Sequence, residues 1–300
     1  MAAFVFDMET GDPDDFLTLA LLGDHPDVTL VGVTVTPGTP HQVGVVRYAL
    51  ARLGLDIPVG AFNLDHKKAR GTAEERYVPC VSSWHYRTFG EIPPSRDAEE
   101  GWVVLDRLLG PDTTLVTGAP LKNLGALLAR GRPRELGRLF MQGGFAGEGV
   151  VPREKQLPKF RGMTTCPTYN LNGDPRSAAA VLASDRFSER RLISKNVCHG
   201  VVYDAAMHER VRSVAAPGPG LAMIREGMTR YLARAPGGKK FHDPLAACCA
   251  IDPAIGVWAE VEVYRERGQW GARPSPGSGT WIIVDYDHAR FVDVLTRRGR

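Results

Sequence analysis

Residues 2–15 read Ala2-Ala3-Phe4-Val5-Phe6-Asp7-Met8-Glu9-Thr10-Gly11-Asp12-Pro13-Asp14-Asp15. The first five form an apolar run with the character of a buried strand. Five carboxylates then crowd into the nine positions from Asp7 to Asp15. A solvated acidic face would not follow a core strand so abruptly. Gly11 and Pro13 are turn formers, so the segment wraps tightly at the strand's carboxyl end. In an open α/β sheet that edge is where ligands bind. Carboxylates this close repel one another unless a positive group sits among them, and a hard divalent cation is the usual answer. The plainer alternative is a helix cap or a surface turn.

Outward from this stretch, strand-like and helix-like segments alternate. A helix over 14–23 starts in the acidic turn. Thr29–Thr36 is β-branched and apolar, which predicts a second buried strand. A helix over 41–53, a strand over 57–61, a helix over 98–109, a strand over 113–117, a helix over 120–130 and a strand over 138–142 follow. This cadence predicts a parallel sheet with helices on both faces. Residues 63–97 contain Gly71, Pro79, Gly90, Pro93 and Pro94 without a clear period, and read as a long loop of the kind that forms lids. A second irregular stretch spans 143–168. A helix over 175–183, a strand over 191–194 and helices over 203–213, 219–233 and 244–250 come next. Val257–Tyr264 and Thr280–Asp285 pattern as a late antiparallel hairpin, and a helix over 288–297 closes the chain. Neither repeat nor linker interrupts the pattern. The expected fold is α/β, an open, mostly parallel, Rossmann-like sheet in a single domain over residues 1–300.

The chain has 300 residues, 43% hydrophobic and 24% charged, an ordinary soluble composition. A formal charge of +3 without a long polybasic block argues against a nucleic-acid partner or a membrane surface. Lys67-Lys68-Ala69-Arg70 and the Arg-rich C-terminus read as solvated. No apolar stretch reaches the roughly 18 residues of a membrane span, and the N-terminus lacks signal-peptide features. Cys80, Cys166, Cys198, Cys248 and Cys249 are odd in number and lack CxxC spacing, which predicts reduced thiols in a cytoplasm.

Four more segments place polar residues at strand ends. Gly118-Ala119-Pro120-Leu121-Lys122-Asn123-Leu124 follows one strand and Met141-Gln142-Gly143-Gly144 ends another. Thr168-Tyr169-Asn170-Leu171-Asn172-Gly173-Asp174-Pro175 opens a helix, with Asp174 as its cap. Phe241-His242-Asp243-Pro244-Leu245 does the same later, where Asp243 alone would read as a helix N-cap before a proline. Together they place polar residues at the carboxyl ends of several parallel strands, where one active site would be assembled from distant sequence.

In order and content these segments resemble the inosine–uridine-preferring nucleoside hydrolases. The family's DxDxGxDD is similar to Asp7–Asp15, its GPLTNL to Gly118–Leu124, its MGG to Met141–Gly144, its EFNxxxDPEAA to Thr168–Ala178 and its HDP to His242–Pro244. The resemblance implies a Ca²⁺-dependent enzyme that hydrolyses the N-glycosidic bond of a ribonucleoside. Asp15, Asp243, Glu9 and the main-chain carbonyl of Lys122 would be metal ligands. Asp14 and Asn170 would hold ribose hydroxyls and Asp7 would support the cluster. Glu9 stands where the family activates water. His242 can serve as the acid for the leaving base, because histidine titrates near neutrality; a supporting hydrogen bond is its alternative. The family's usual dimer or tetramer is implied as well.

The chain also departs from the motifs. Glu9 replaces Asp in a turn one residue longer, which leaves Asp7 and Asp12 as alternative water activators. Pro37-Gly38-Thr39 stands for the family's GN, so Thr39 offers a hydroxyl where an amide is usual. Thr168 replaces a Glu. For the base, Trp84, His85 and Tyr86 are the candidate contacts, with Trp84 or Tyr86 stacking. Lys67, Lys68, Arg70 and Arg76, with Arg153, Lys155, Lys159 and Arg161, suggest a phosphorylated or otherwise modified nucleoside. His199 or Asn196 would add to the pocket. Two rivals remain: a haloacid-dehalogenase-type phosphatase with Asp7 as nucleophile and Lys195 on phosphate, and an inactive protein that binds metal and ribose.

Overall fold

The computed structural model describes residues 2–65 and 80–297. Its main sheet has eleven strands. In chain order the strands are β1 (Ala2–Met8), β2 (Val28–Val35), β3 (Val59–Ala61), β4 (Glu99–Glu100), β5 (Thr113–Thr117), β6 (Arg138–Gln142), β7 (Thr165–Cys166), β8 (Glu189–Ile193), β9 (Val202–Tyr203), β10 (Lys239–Lys240), β11 (Gly256–Glu266), β12 (Gln269–Pro274) and β13 (Thr280–Tyr286). The sheet order is β4-β3-β2-β1-β5-β6-β8-β13-β11-β12-β7, while β9 and β10 pair separately. From β4 across to β13 every neighbouring pair is parallel.

The β1 sequence dictates its central place. Phe4, Phe6 and Met8 point into one core and Val5 into the other, so apolar residues cover both faces. The first core is closed by α1 (Pro13–Asp24), α2 (Pro40–Leu53), α3 (Ser83–Phe89) and, from later sequence, α10 (Pro219–Leu232), α11 (His242–Ile251) and α12 (His288–Leu295). The second is closed by α4 (Gly101–Leu108), α5 (Lys122–Arg130) and α7 (Pro175–Ala183). The remaining α-helices are α6 (Tyr169–Gly173), α8 (Lys195–Cys198) and α9 (Ala205–Ser213). Helices on both faces of a mostly parallel sheet are the expected architecture.

The differences are local. Residues 83–89 form α3 inside the expected loop, because the Ser82 side chain accepts from the Trp84 N–H and starts a short helix. The late hairpin is a three-stranded unit: β11 does pair with β13, but β12 returns between them in sequence. Arg267 and Gly268 both have positive φ, the geometry of a two-residue hairpin turn, and they join β11 to β12. Asp243 is not the cap of α11, which begins one residue earlier, at His242. Asp174 does cap α7, accepting from the Ser177 N–H at 3.1 Å. Among the described residues no helix is long and apolar enough to cross a membrane.

Candidate active site

The chain leaves β1 toward β2 and returns to β5 on the other flank, so a crevice opens between their carboxyl ends. Two turns and the start of α11 meet there. After β1, the Glu9 N–H donates to Asp15 Oδ1 at 3.0 Å and folds the acidic turn onto the start of α1. After β5, the Gly118 N–H donates to the Asp7 carbonyl at 2.9 Å. A Cβ on Gly118 would lie 2.8 Å from Asp15 Oδ1 and 2.8 Å from Asp243 Oδ1. Only glycine lets these two carboxyls, from α1 and α11, close over the β5 turn. Asp14 joins them, with one oxygen of each of the three within 4.8 Å of the others. All three are buried.

A cavity of about 380 Å³ opens onto this cluster. Glu9, Asp12, Asp14, Asp15 and Asp243 give its acidic lining, and Asn170 and His242 line it as well. Gln142, Thr168, Tyr169, Lys195 and His199 complete its chemistry. Asn170 is held by its amide, which donates to the Gln142 backbone carbonyl at 3.0 Å and to Gln142 Oε1 at 2.8 Å. Its own Oδ1 is buried without a partner.

The electrostatics are those of crowded, buried carboxylates. Burial, then Asp14 and Asp12, push Glu9 up to about 7. Burial and the surrounding carboxylates push Asp15 and Asp243 well above the usual range. Asp243 Oδ1 is buried with no hydrogen-bond partner. Such oxygen donors fit a hard divalent ion. One positive group is already there: Lys239, itself buried, places Nζ 2.9 Å from Asp12 Oδ1 and 3.3 Å from Asp14 Oδ1. Asp12 stands at the N-cap of α1 but makes no capping bond, so the acidic turn is not a simple cap. Cys198, His199 and His242 form a softer donor set beside the acids. Burial pushes the Cys198 thiol up to about 12, and Lys159 Nζ occupies His199 Nδ1 at 2.7 Å.

Glu9, Asp14, Asp15, Asn170, His242 and Asp243 are thus brought together as expected. His242 differs in its charge. Burial, then Lys239, push it down to about 4, so it is neutral near pH 7 and offers a hydrogen bond rather than a spare proton. Asp7 lies beneath the cavity, fully buried. Its Oδ1 accepts from Thr34 Oγ1 at 2.6 Å and Asn123 Nδ2 at 2.9 Å, and its Oδ2 from Thr117 Oγ1 at 3.1 Å. A carboxylate so enclosed cannot be a nucleophile, which removes the phosphatase reading, and it cannot reach a water in the cavity.

Three other expectations are corrected. Trp84 and His85 do not face this cavity, because Phe16 on α1 takes both rings edge-on into the core, at 5.9 and 5.5 Å. Thr39 is absent from the wall because its hydroxyl caps α2, accepting from the Gln42 N–H. Lys122, expected through its main-chain carbonyl, is the first residue of α5, in the turn that Gly118 begins, and its side chain sends the ammonium over the Phe62 ring. Lys155 pairs with Asp285 instead of facing the cavity. Lys67, Lys68, Arg70 and Arg76 lie outside the described residues. Sequence reasoning missed Lys239, whose neighbours carry no signal of an ion pair with a turn far upstream, and Tyr169, an aromatic 71% exposed at the cavity.

The inosine-uridine preferring nucleoside hydrolase profile matches residues 4–293. An uncharacterized protein of Aquifex aeolicus (strain VF5) is 28% identical over 308 residues, spanning 98% of each chain. Among solved structures, an inosine-guanosine nucleoside hydrolase superposes with a TM-score of 0.72 at 16% identity, over 99% of this chain and 98% of that one. The inosine-uridine preferring nucleoside hydrolase of Bacillus anthracis gives 0.65 at 20% identity, over 99% and 98%. At these identities the two structures speak for the fold, and the profile speaks for descent. The chain belongs to the inosine-uridine preferring nucleoside hydrolase family, enzymes that hydrolyse the N-glycosidic bond of nucleosides.

Proposed function

We propose that the chain is a Ca²⁺-dependent N-ribosyl hydrolase working as a single domain, with Glu9, Asp15 and Asp243 as the side-chain metal ligands. The observation that carries this is the cluster on Gly118: buried carboxylates from α1 and α11 pressed together, with Asp243 Oδ1 left without a partner. When bound, Ca²⁺ would supply charge for the cluster and acidify a water.

The residues around it divide the remaining work. Asp14 and Asn170, with its free Oδ1, accept hydrogen bonds from the ribose diol. As the base departs, positive charge develops on the ribose, and the clustered carboxylates stabilise it. Glu9, pushed up towards neutrality by burial, takes the proton of the attacking water. Lys239 keeps Asp12 and Asp14 fixed while this happens. His242, neutral, donates a hydrogen bond to the leaving base. Tyr169 offers an exposed ring for base stacking, the role that Trp84 cannot fill from the core.

Base release from a nucleoside panel, with Ca²⁺ and with chelator, tests this. Chelator-sensitive release is expected, with a lower Tm in chelator because the carboxylates lose their counter-charge. Chelator-insensitive release would remove the metal from the reading. Binding of nucleoside without release would point to the inactive protein.

A further inference from the structure

The cavity carries a second chemistry away from its acids. Thr168 lines it at 3% exposure, and its Oγ1 has no hydrogen-bond partner. Its backbone is fixed: the Thr168 N–H donates to Asn172 Oδ1 at 2.9 Å, and its carbonyl accepts from the Asn172 N–H at 2.9 Å. Beside it, Lys195 Nζ donates to the Pro167 carbonyl at 2.8 Å, leaving two N–H groups for a ligand. Lys159 and Lys195 lie 4.9 and 6.0 Å from the centroid of one ring, Phe160. Among the described residues, the lysines that meet carboxylates are Lys155 and Lys239; Lys159, Lys195 and Lys240 do not. Burial, then Lys240 and Lys195, push the Lys159 amine down. The acids are a step removed. His242 Nδ1 lies 3.9 Å from Asp14 Oδ2, His199 stacks on His242 at 4.9 Å, and Lys159 sits on His199.

Neighbouring ammoniums without a counter-charge, next to a buried hydroxyl without a partner, are complementary to a phosphate. We infer that this wall binds a phosphate ester, so that the substrate is a nucleoside 5′-monophosphate with its phosphate on Thr168 Oγ1 and Lys195 Nζ, and with Lys159, seated on the cavity-lining His199, adding positive charge from behind. This rests on the nucleosidase reading: with the ribose diol held by the acids, C5′ is the carbon that projects away from them. The ester is a spectator in the reaction. Water oxygen bonds C1′, the C1′–N bond breaks with its electron pair on the base, and the base gains a proton. The products are free base and ribose 5-phosphate.

The test is base release from nucleosides and their 5′-monophosphates, with Ca²⁺ present. The monophosphate is expected to have the higher kcat/KM by about tenfold or more, and that ratio is expected to fall by about tenfold in Lys195→Met and in Thr168→Glu. Release from nucleosides at a ratio of one or below overturns the phosphate site and leaves the nucleosidase reading standing. If neither compound releases base, the nucleosidase reading fails, and calorimetric titration of ribose 5-phosphate against ribose decides the phosphate site separately. Tighter binding of the phosphate, lost in Lys195→Met, supports it; equal binding overturns it.

Discussion

Two buried aspartates of the site show how environment sets the role of one side chain. Asp7 has three side-chain donors, and burial still holds it up at about 6. Asp243 keeps an oxygen with no donor at all. Asp7 is therefore held by its donors, whereas Asp243 keeps an oxygen free to accept from a ligand. Asp7→Ala would strand Thr34, Thr117 and Asn123, and an unfolding titration is expected to show a loss of about 2–4 kcal/mol. Asp243→Asn, similar in shape, is expected to melt close to the parent but to weaken Ca²⁺ binding by about tenfold or more in calorimetry. Parent-like Ca²⁺ affinity in Asp243→Asn would take that residue out of the ligand set. Both aspartates stand out in the sequence as motif residues. Their division of labour does not, because it depends on partners more than a hundred residues away in Asn123 and Gly118. Lys239 is the clearer case: no local pattern marks a lysine that will be buried against Asp12 and Asp14.

Elements were legible where their pattern is local. β1, β2, β5 and β6 carry runs of apolar or β-branched residues, and the long helices between them carry helical spacing, with a capping box on α2. α3 was hidden because seven residues hold too few turns to show a period. β12 was hidden because Gly271 interrupts its alternation. Position 39 shows a role changed by its element. The Thr39 hydroxyl and the Gln42 amide form a reciprocal cap on α2, and Gln42 Oε1 also accepts from the Gly38 N–H at 2.8 Å. A motif position that reads as a sugar contact is thereby spent on a helix start. Thr39→Ala is expected to lower stability by about 1 kcal/mol while KM moves by less than about twofold. A tenfold rise in KM at unchanged stability would return Thr39 to the sugar.

At the scale of the whole molecule, one sheet separates two apolar cores, and the site sits where the chain switches from one side of β1 to the other. The first core extends under α3 and encloses an ionisable group outside the acidic cavity. His85 has no exposed surface; Phe16 and Trp84 meet its ring edge-on at 5.5 and 5.0 Å, and its Nε2 is buried without a partner. Its Nδ1 lies 3.0 Å from the Ser82 carbonyl, which requires an N–H there. Burial pushes this histidine from 6.5 down to about 4, so the unfolded chain takes up the proton first as pH falls. Stability tied to His85 is therefore intact above pH 6.5 and is lost progressively towards pH 4. Thermal unfolding at fixed Ca²⁺ should show Tm falling between pH 7 and pH 5, with a contribution of about 2 kcal/mol from this residue at the lower end. His85→Phe keeps a ring against Phe16 and Trp84 but cannot charge, so its acid limb is expected to be flatter than the parent's. An equal slope in both proteins would move the acid sensitivity to other groups, with the acids around Gly118 the first to examine.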